Sequence, residues 1–243
     1  MISYKSVKIL FVSFKQFIYQ IAKDAMLFLA CAAPILCGLF IRFGIPFAEN
    51  LLLEQFNYVN ILSPYYLMFD LFLAVMTAMM FCFVSSMVIL GEIDDGITSY
   101  MAVTPLGKSG YLISSLGMPM IFSFFMTIIV LYIISLTKLS LIMIIGTSIL
   151  SSILGFIMSM LVISISTNKV EGMAVTKLSG IFMIGIPAPF FASKSLQYIF
   201  FLLPSFWISK FLLENKIIYF ALCLSVSTVW ILVLLKKFMK KIK

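Results

Sequence analysis

The sequence predicts an all-α integral membrane protein: six transmembrane helices preceded by an N-terminal amphipathic helix lying in the membrane interface. Three observations carry this. Of the 243 residues, 63% are apolar and only 11% charged, where a soluble domain has roughly 45–50% and 25%. The mean hydropathy is +1.18, and several apolar runs reach the roughly 20 residues that a helix needs to cross about 30 Å of hydrocarbon. The basic residues cluster beside these runs, as expected of a chain oriented in a bilayer. One compact bundle follows, with no separate soluble domain.

The first element, residues 1–24, is not a span, because Lys5, Lys8, Lys15 and Lys23 interrupt it. At 100° per residue, Val7, Leu10, Phe11, Phe14, Phe17, Ile18 and Ile21 share about 120° of arc opposite the lysines, the pattern of an interfacial helix. The long apolar stretch after Lys23 lacks a small-residue cleavage site, so an uncleaved N-terminus is expected. Residues 25–243 form the transmembrane domain, with spans expected at Ala25–Phe43, Tyr65–Leu90, Tyr111–Leu136, Leu141–Ser166, Leu178–Ala192 and Ile217–Leu235. The fifth is short and holds Pro187 and Pro189. Charge fixes the count. Six spans place twelve of the seventeen Lys and Arg residues, including the tail from Lys236 to Lys243, on the cytoplasmic side, with both termini inside a multi-pass cell-membrane protein. That leaves a cytoplasmic loop at 91–110, a second at 167–177, and an irregular outer segment at 190–216.

The same residues exclude chemistries. There is no histidine, so the commonest metal ligand and neutral-pH base are missing. Cys31, Cys37, Cys82 and Cys223 lie inside apolar runs without metal-ligand spacing, and no metal site is expected. No GxxxxGK[ST] phosphate loop occurs, so any nucleotide chemistry has to come from another chain. The net charge of +8 is accounted for by membrane orientation rather than by nucleic acid. A transport role rather than an enzyme is expected.

The loop at 91–110 carries the most information. Glu92, Asp94 and Asp95 crowd the exit of the second span, Gly96 permits a sharp reversal, and Ile97 to Val103 suit a short helix stopped before Pro105. Glu92, then Gly96 four residues on, then Thr104-Pro105 resembles the Glu-x₃-Gly-x₇-Ser/Thr-Pro pattern in the permease subunits of type 2 ABC exporters. Lys169, Glu171 and Gly172 in the second loop, the proline-broken run after it, and Leu203-Pro204-Ser205-Phe206-Trp207 are similar to the fifth-span region of that family. The chain departs from the pattern in lacking a basic residue beside Glu92 and in carrying Ser99 where an acid is common.

The resemblance implies a permease that binds no cofactor itself. ATP and Mg would be held by a separate ATP-binding subunit docked on Glu92–Pro105 and on the N-terminal helix. A second permease subunit, identical or similar, would complete a dimer in the lipid bilayer. The cargo so implied is an amphipathic or apolar compound: an antibiotic, a peptide or a lipid. Within the spans, Asp70, Thr77 and Ser85 share about 80° of the second span and are read as the translocation path. On the fourth, Ser148, Ser152, Gly155, Ser159 and Ser166 share about 60°, which favours close helix packing. The alternative is a proton- or ion-coupled carrier that uses Asp70 as its relay.

Overall fold

The computed structural model describes residues 18–56, 61–96 and 113–241. Among these residues every regular element is helical. Six stretches are long and apolar enough to span a membrane: Ala25–Gln55, Ser63–Asp94, Ser115–Ile134, Leu141–Ile165, Lys169–Phe191 and Ile217–Phe238. These are the six spans expected, with their edges moved.

Helix α1 (Ala25–Leu39) starts at Asp24, whose Oδ1 accepts the Met26 N–H at 3.0 Å. The helix does not stop at Phe43. A π turn over Phe40–Gly44 carries it into α2 (Ile45–Phe56). Gly44 and Pro46, residues that favour a break in a helix, are thus accommodated by a widened turn rather than a chain reversal. Buried Glu49 then ties α2 to the next span, accepting from the Ser63 N–H at 3.1 Å, the Ser63 hydroxyl at 2.6 Å and the Tyr66 hydroxyl.

Helix α3 (Tyr66–Asp94) is the axis of the bundle and is buried on almost every side. It packs on α4 (Met118–Ile134) and most extensively on α5 (Leu141–Ile165). The α3–α5 approach is close because glycine permits it: a β-carbon on Gly155 would stand 2.6 Å from the Ala78 carbonyl oxygen. Ser148, Ser152, Ser159 and Ser166 of the same α5 face are buried as well. Small-residue packing, which substitutes for a hydrophobic driving force between helices in lipid, accounts for this face.

The fifth span is irregular. It runs as α6 (Lys169–Leu178), a 3₁₀ stretch (Ser179–Gly185) and α7 (Ala188–Phe191). The second cytoplasmic loop expected at 167–177 is therefore mostly helix. Beyond it, a 3₁₀ segment (Leu196–Leu202) and α8 (Pro204–Glu214) meet at 116°. Cys223 and Trp230 lie six and thirteen residues into α9 (Ile217–Lys241), so about 9 and 20 Å along it. Cys223 donates to the Pro204 carbonyl and the Trp230 indole donates to the Leu202 carbonyl at 2.9 Å. The bend therefore dips between those two levels.

Irregular backbone at such depth requires protein partners for its carbonyls. Four side chains supply them. Ser205 donates to Phe182 O, Ser209 to Ile186 O at 2.9 Å, Trp207 to Phe201 O at 2.9 Å and Trp230 to Leu202 O. Phe206, Ile208, Ile186, Leu71 and Leu150 bury the same region in the largest apolar cluster.

Candidate coupling junction

At the end of α3, where Glu92, Asp94 and Asp95 sit, three parts of the chain converge. Gly96 closes the helix at φ 71°, a left-handed conformation that costs glycine little and other residues more. Asp94 reaches across to α6, where its Oδ2 accepts the Lys169 N–H at 2.9 Å. One of the unpaired donors at the start of α6 is thereby satisfied, with negative charge at the positive end of the helix. The Asn168 side chain takes another, accepting the Glu171 N–H at 2.8 Å, while Glu171 turns back onto Thr167. Asn168 and Glu171 are the reason that residues read as a loop start a helix.

Lys169 also extends its ammonium to Asp24 Oδ2 at 2.7 Å. Asp24 thus caps α1 with one oxygen and holds α6 with the other. The Lys169 hydrogen bond keeps its carboxyl below the usual range, and burial opposes the shift. Gln20, in the helical stretch 18–23, donates to Glu92 Oε1 at 3.4 Å. Gly172 lies so close to Leu90 and Met87 that any side chain there displaces them. A cavity of about 790 Å³ opens over the junction, with Leu27 and Met87 on its apolar side and Lys23, Glu92, Asp95 and Lys169 on its charged side.

The structure thus brings Glu92, Asp94, Asp95 and Gly96 together with Lys169, Glu171 and Gly172. Thr104 and Pro105 lie outside the described residues. Asp24 and Gln20 were missed by the sequence reading. Asp24 had a legible cap signal, a short acid before an apolar run, but its pairing with Lys169, 145 positions away, had none.

The three residues assigned to the path sit elsewhere, on the face of α3 toward α4. Asp70 is fully buried. Its Oδ1 accepts the Leu136 N–H at 2.8 Å and its Oδ2 the Thr137 N–H at 2.9 Å, and the Thr137 hydroxyl donates to it as well. These are the residues of the short α4–α5 connection. Thr77 donates to Leu73 O at 2.6 Å within its own helix, and Ser85 to Ser115 O at 2.5 Å.

Comparison with known families matches the amino-acid sequence to an export permease family. Residues 17–235 match the Rv2686c-like family, described as fluoroquinolones export permease protein Rv2686c-like. The chain belongs to this family. Two curated relatives, both named fluoroquinolones export permease protein, are Rv2686c and MT2760, from the H37Rv and CDC 1551 strains of Mycobacterium tuberculosis. Each is 20% identical over 199 residues, covering 77% of this chain and 75% of the relative. No solved structure matches. The chain is a multi-pass membrane protein of an export permease family, and the resemblance to exporter permeases noted from the Glu92-to-Pro105 pattern stands with it.

Proposed function

We propose that this chain is the membrane half of an ATP-driven exporter, with ATP and Mg held by a separate ATP-binding subunit that docks on the junction. A second permease subunit completes the pathway, and both termini lie in the cytoplasm. The cargo is an amphipathic or apolar compound, with an antibiotic of the kind named for the relatives as the first candidate to test.

The observation that carries this reading is the knot of Asp24, Asp94 and Lys169. It joins the start of α1, the end of α3 and the start of α6 through one lysine. A force applied to the loop that follows Gly96 reaches α3 directly, and through Lys169 it reaches α1 and α6. Because α3 is packed along its length against α4 and α5, it cannot bend alone, and the push becomes a movement of spans. The occupation of Asp70 by the α4–α5 connection supports a holding role for that acid and disfavours a proton relay.

The test is copurification and transport. The chain, tagged and expressed from its native genomic context, is expected to bring an ATP-binding subunit through purification. Glu92→Ala and Gly96→Pro are expected to remain in the membrane while ATP-dependent export falls to background. If no ATPase copurifies and export persists when ATP is exhausted, the reading fails.

A further inference from the structure

The bent segment between α7 and α9 encloses a cavity that none of the export machinery accounts for. Its volume is about 450 Å³, and it lies between the 3₁₀ arm Leu196–Leu202 and helix α8. Lys194 and Lys210 line it together with Glu214, and Tyr198 and Phe201 give it an aromatic side. We propose that this cavity binds the headgroup of an anionic phospholipid, with the two lysines taking its phosphodiester.

Charge supports this first. Lys210 makes no ion pair among the described residues; its ammonium rests against the rings of Phe206, 5.2 Å from the centroid, and Tyr219, at 5.6 Å. Glu214, four residues on, also lines the cavity, but its carboxylate is engaged: it accepts from Lys216 at 3.0 Å and from the Tyr219 hydroxyl at 2.8 Å. Lys194 is exposed and likewise has no acidic partner among the described residues. With the Glu214 charge balanced by Lys216, the cavity keeps the two positive charges of Lys194 and Lys210 to offer an anion.

Depth supports it second. Lys210 is four residues from the end of α8, about 6 Å below Glu214, and it touches Tyr219 at the start of α9. That is headgroup depth, where amphipathic aromatics and lysines are favoured. The apolar flank comes third. Leu196, Ile199 and Leu202 on the 3₁₀ arm are all more than half exposed. Acyl chains would cover them while the phosphate sits between the lysines. A free inorganic anion would leave that flank bare, so the lipid is the occupant that satisfies both parts.

Both tryptophans of the chain serve as reporters, since Trp207 contacts Phe201 and stacks on Tyr219, and Trp230 holds Leu202. The purified full chain in a neutral detergent is titrated with dihexanoyl phosphatidylglycerol while tryptophan emission is followed. Saturable binding is expected, absent with dihexanoyl phosphatidylcholine and unaffected by inorganic phosphate at matched ionic strength. The Lys194→Gln/Lys210→Gln double variant is expected to bind roughly tenfold to thirtyfold more weakly. Lys138→Gln, in the α4–α5 connection, is expected to bind as the unmodified chain does. Retained phosphatidylglycerol, counted by native mass spectrometry, provides a readout independent of fluorescence. Equal binding of the two lipids, or unchanged binding by a folded double variant, overturns the proposal. So does competition by inorganic phosphate, which would make the cavity a simple anion site.

Discussion

Gly155 of α5 lies directly against Ala78 of α3: a β-carbon added to it would stand 2.6 Å from the Ala78 oxygen and 2.9 Å from its carbonyl carbon. Backbone cannot step aside as a side-chain tip can. Gly155→Ala is therefore expected to cost about 1–3 kcal/mol by overpacking, read as a lower melting temperature in detergent. Ser152→Ala, beside it, removes a hydroxyl that only donates within its own helix to Ser148 O and Ile149 O, and should change little. Equal stability of the two variants would mean that α3 and α5 are not held at this distance.

The pairing of Asp24 with Lys169 gives a charge-swap test. Asp24→Lys and Lys169→Asp are each expected to reduce ATP-dependent export, and the double exchange to recover part of it. Recovery should be incomplete because the lysine cannot cap Met26, a loss of about 1 kcal/mol. Failure of the double exchange to recover any export would remove the pair from the coupling route.

The same pair has a pH signature with a definite sign. The Asp24 carboxyl titrates below its ordinary value of 3.8, chiefly through Lys169. A depressed carboxylate contributes stability that is complete above its ordinary value and lost as pH falls through the folded one. The junction should therefore be insensitive to pH across the neutral range and weaken only below about pH 4. The melting temperature in detergent as a function of pH, compared with that of Asp24→Asn, is the measurement. A transition near neutral pH would assign control of the junction to another group.

Asp70 is expected to behave as a fastener. Asp70→Ala strands two backbone N–H groups and one hydroxyl in the α4–α5 connection and should cost at least about 2 kcal/mol. Asp70→Asn keeps one accepting oxygen and should fall between. Corrected for the amount of assembled protein, the relative export of cationic and neutral cargo should be the same in both. A change in that ratio in Asp70→Asn would return the acid to the translocation path.

Topology follows from the lysines. In the background without native cysteines, Lys216→Cys should react with an impermeant thiol reagent on intact cells and Lys237→Cys only after permeabilisation. The reverse pattern would invert the chain and move the junction to the outside.

The spans were legible because hydropathy is a sum over some 20 residues and survives local irregularity. All six appear, and so does the disorderly character of the fifth, announced by Pro187 and Pro189. What was not legible depended on partners distant in sequence. Gly44 and Pro46 signal a break wherever they occur, and only the fold shows that a π turn absorbs them. Asn168 and Glu171 carried a capping signal inside a segment too polar to be read as the start of a span. Asp70 was recognised as costly to bury, but the donors that satisfy it, Leu136 and Thr137, come from a turn whose position over α3 no periodicity encodes. The acids at the loop base were found from their spacing; the lysine that binds two of the junction's acids was found only as one charge in a loop.

The central position of α3 has a consequence for how the protein is made. This helix is synthesised before α4 and α5, the two that will enclose it, so it leaves the ribosome with its carboxylate, hydroxyls and glycine-facing groove uncovered. An acid within a span costs about 2.5–3.5 kcal/mol on insertion scales at the helix centre and less toward an end, and Asp70 lies only four residues from the start of α3 at Tyr66. The rest of the segment is strongly apolar, with a mean hydropathy of 2.3, which favours entry of α3 into the bilayer before its neighbours. Completion comes when the α4–α5 hairpin arrives and its turn closes over Asp70: a nascent chain truncated before Leu136 lacks every donor that the folded protein gives this acid from that turn.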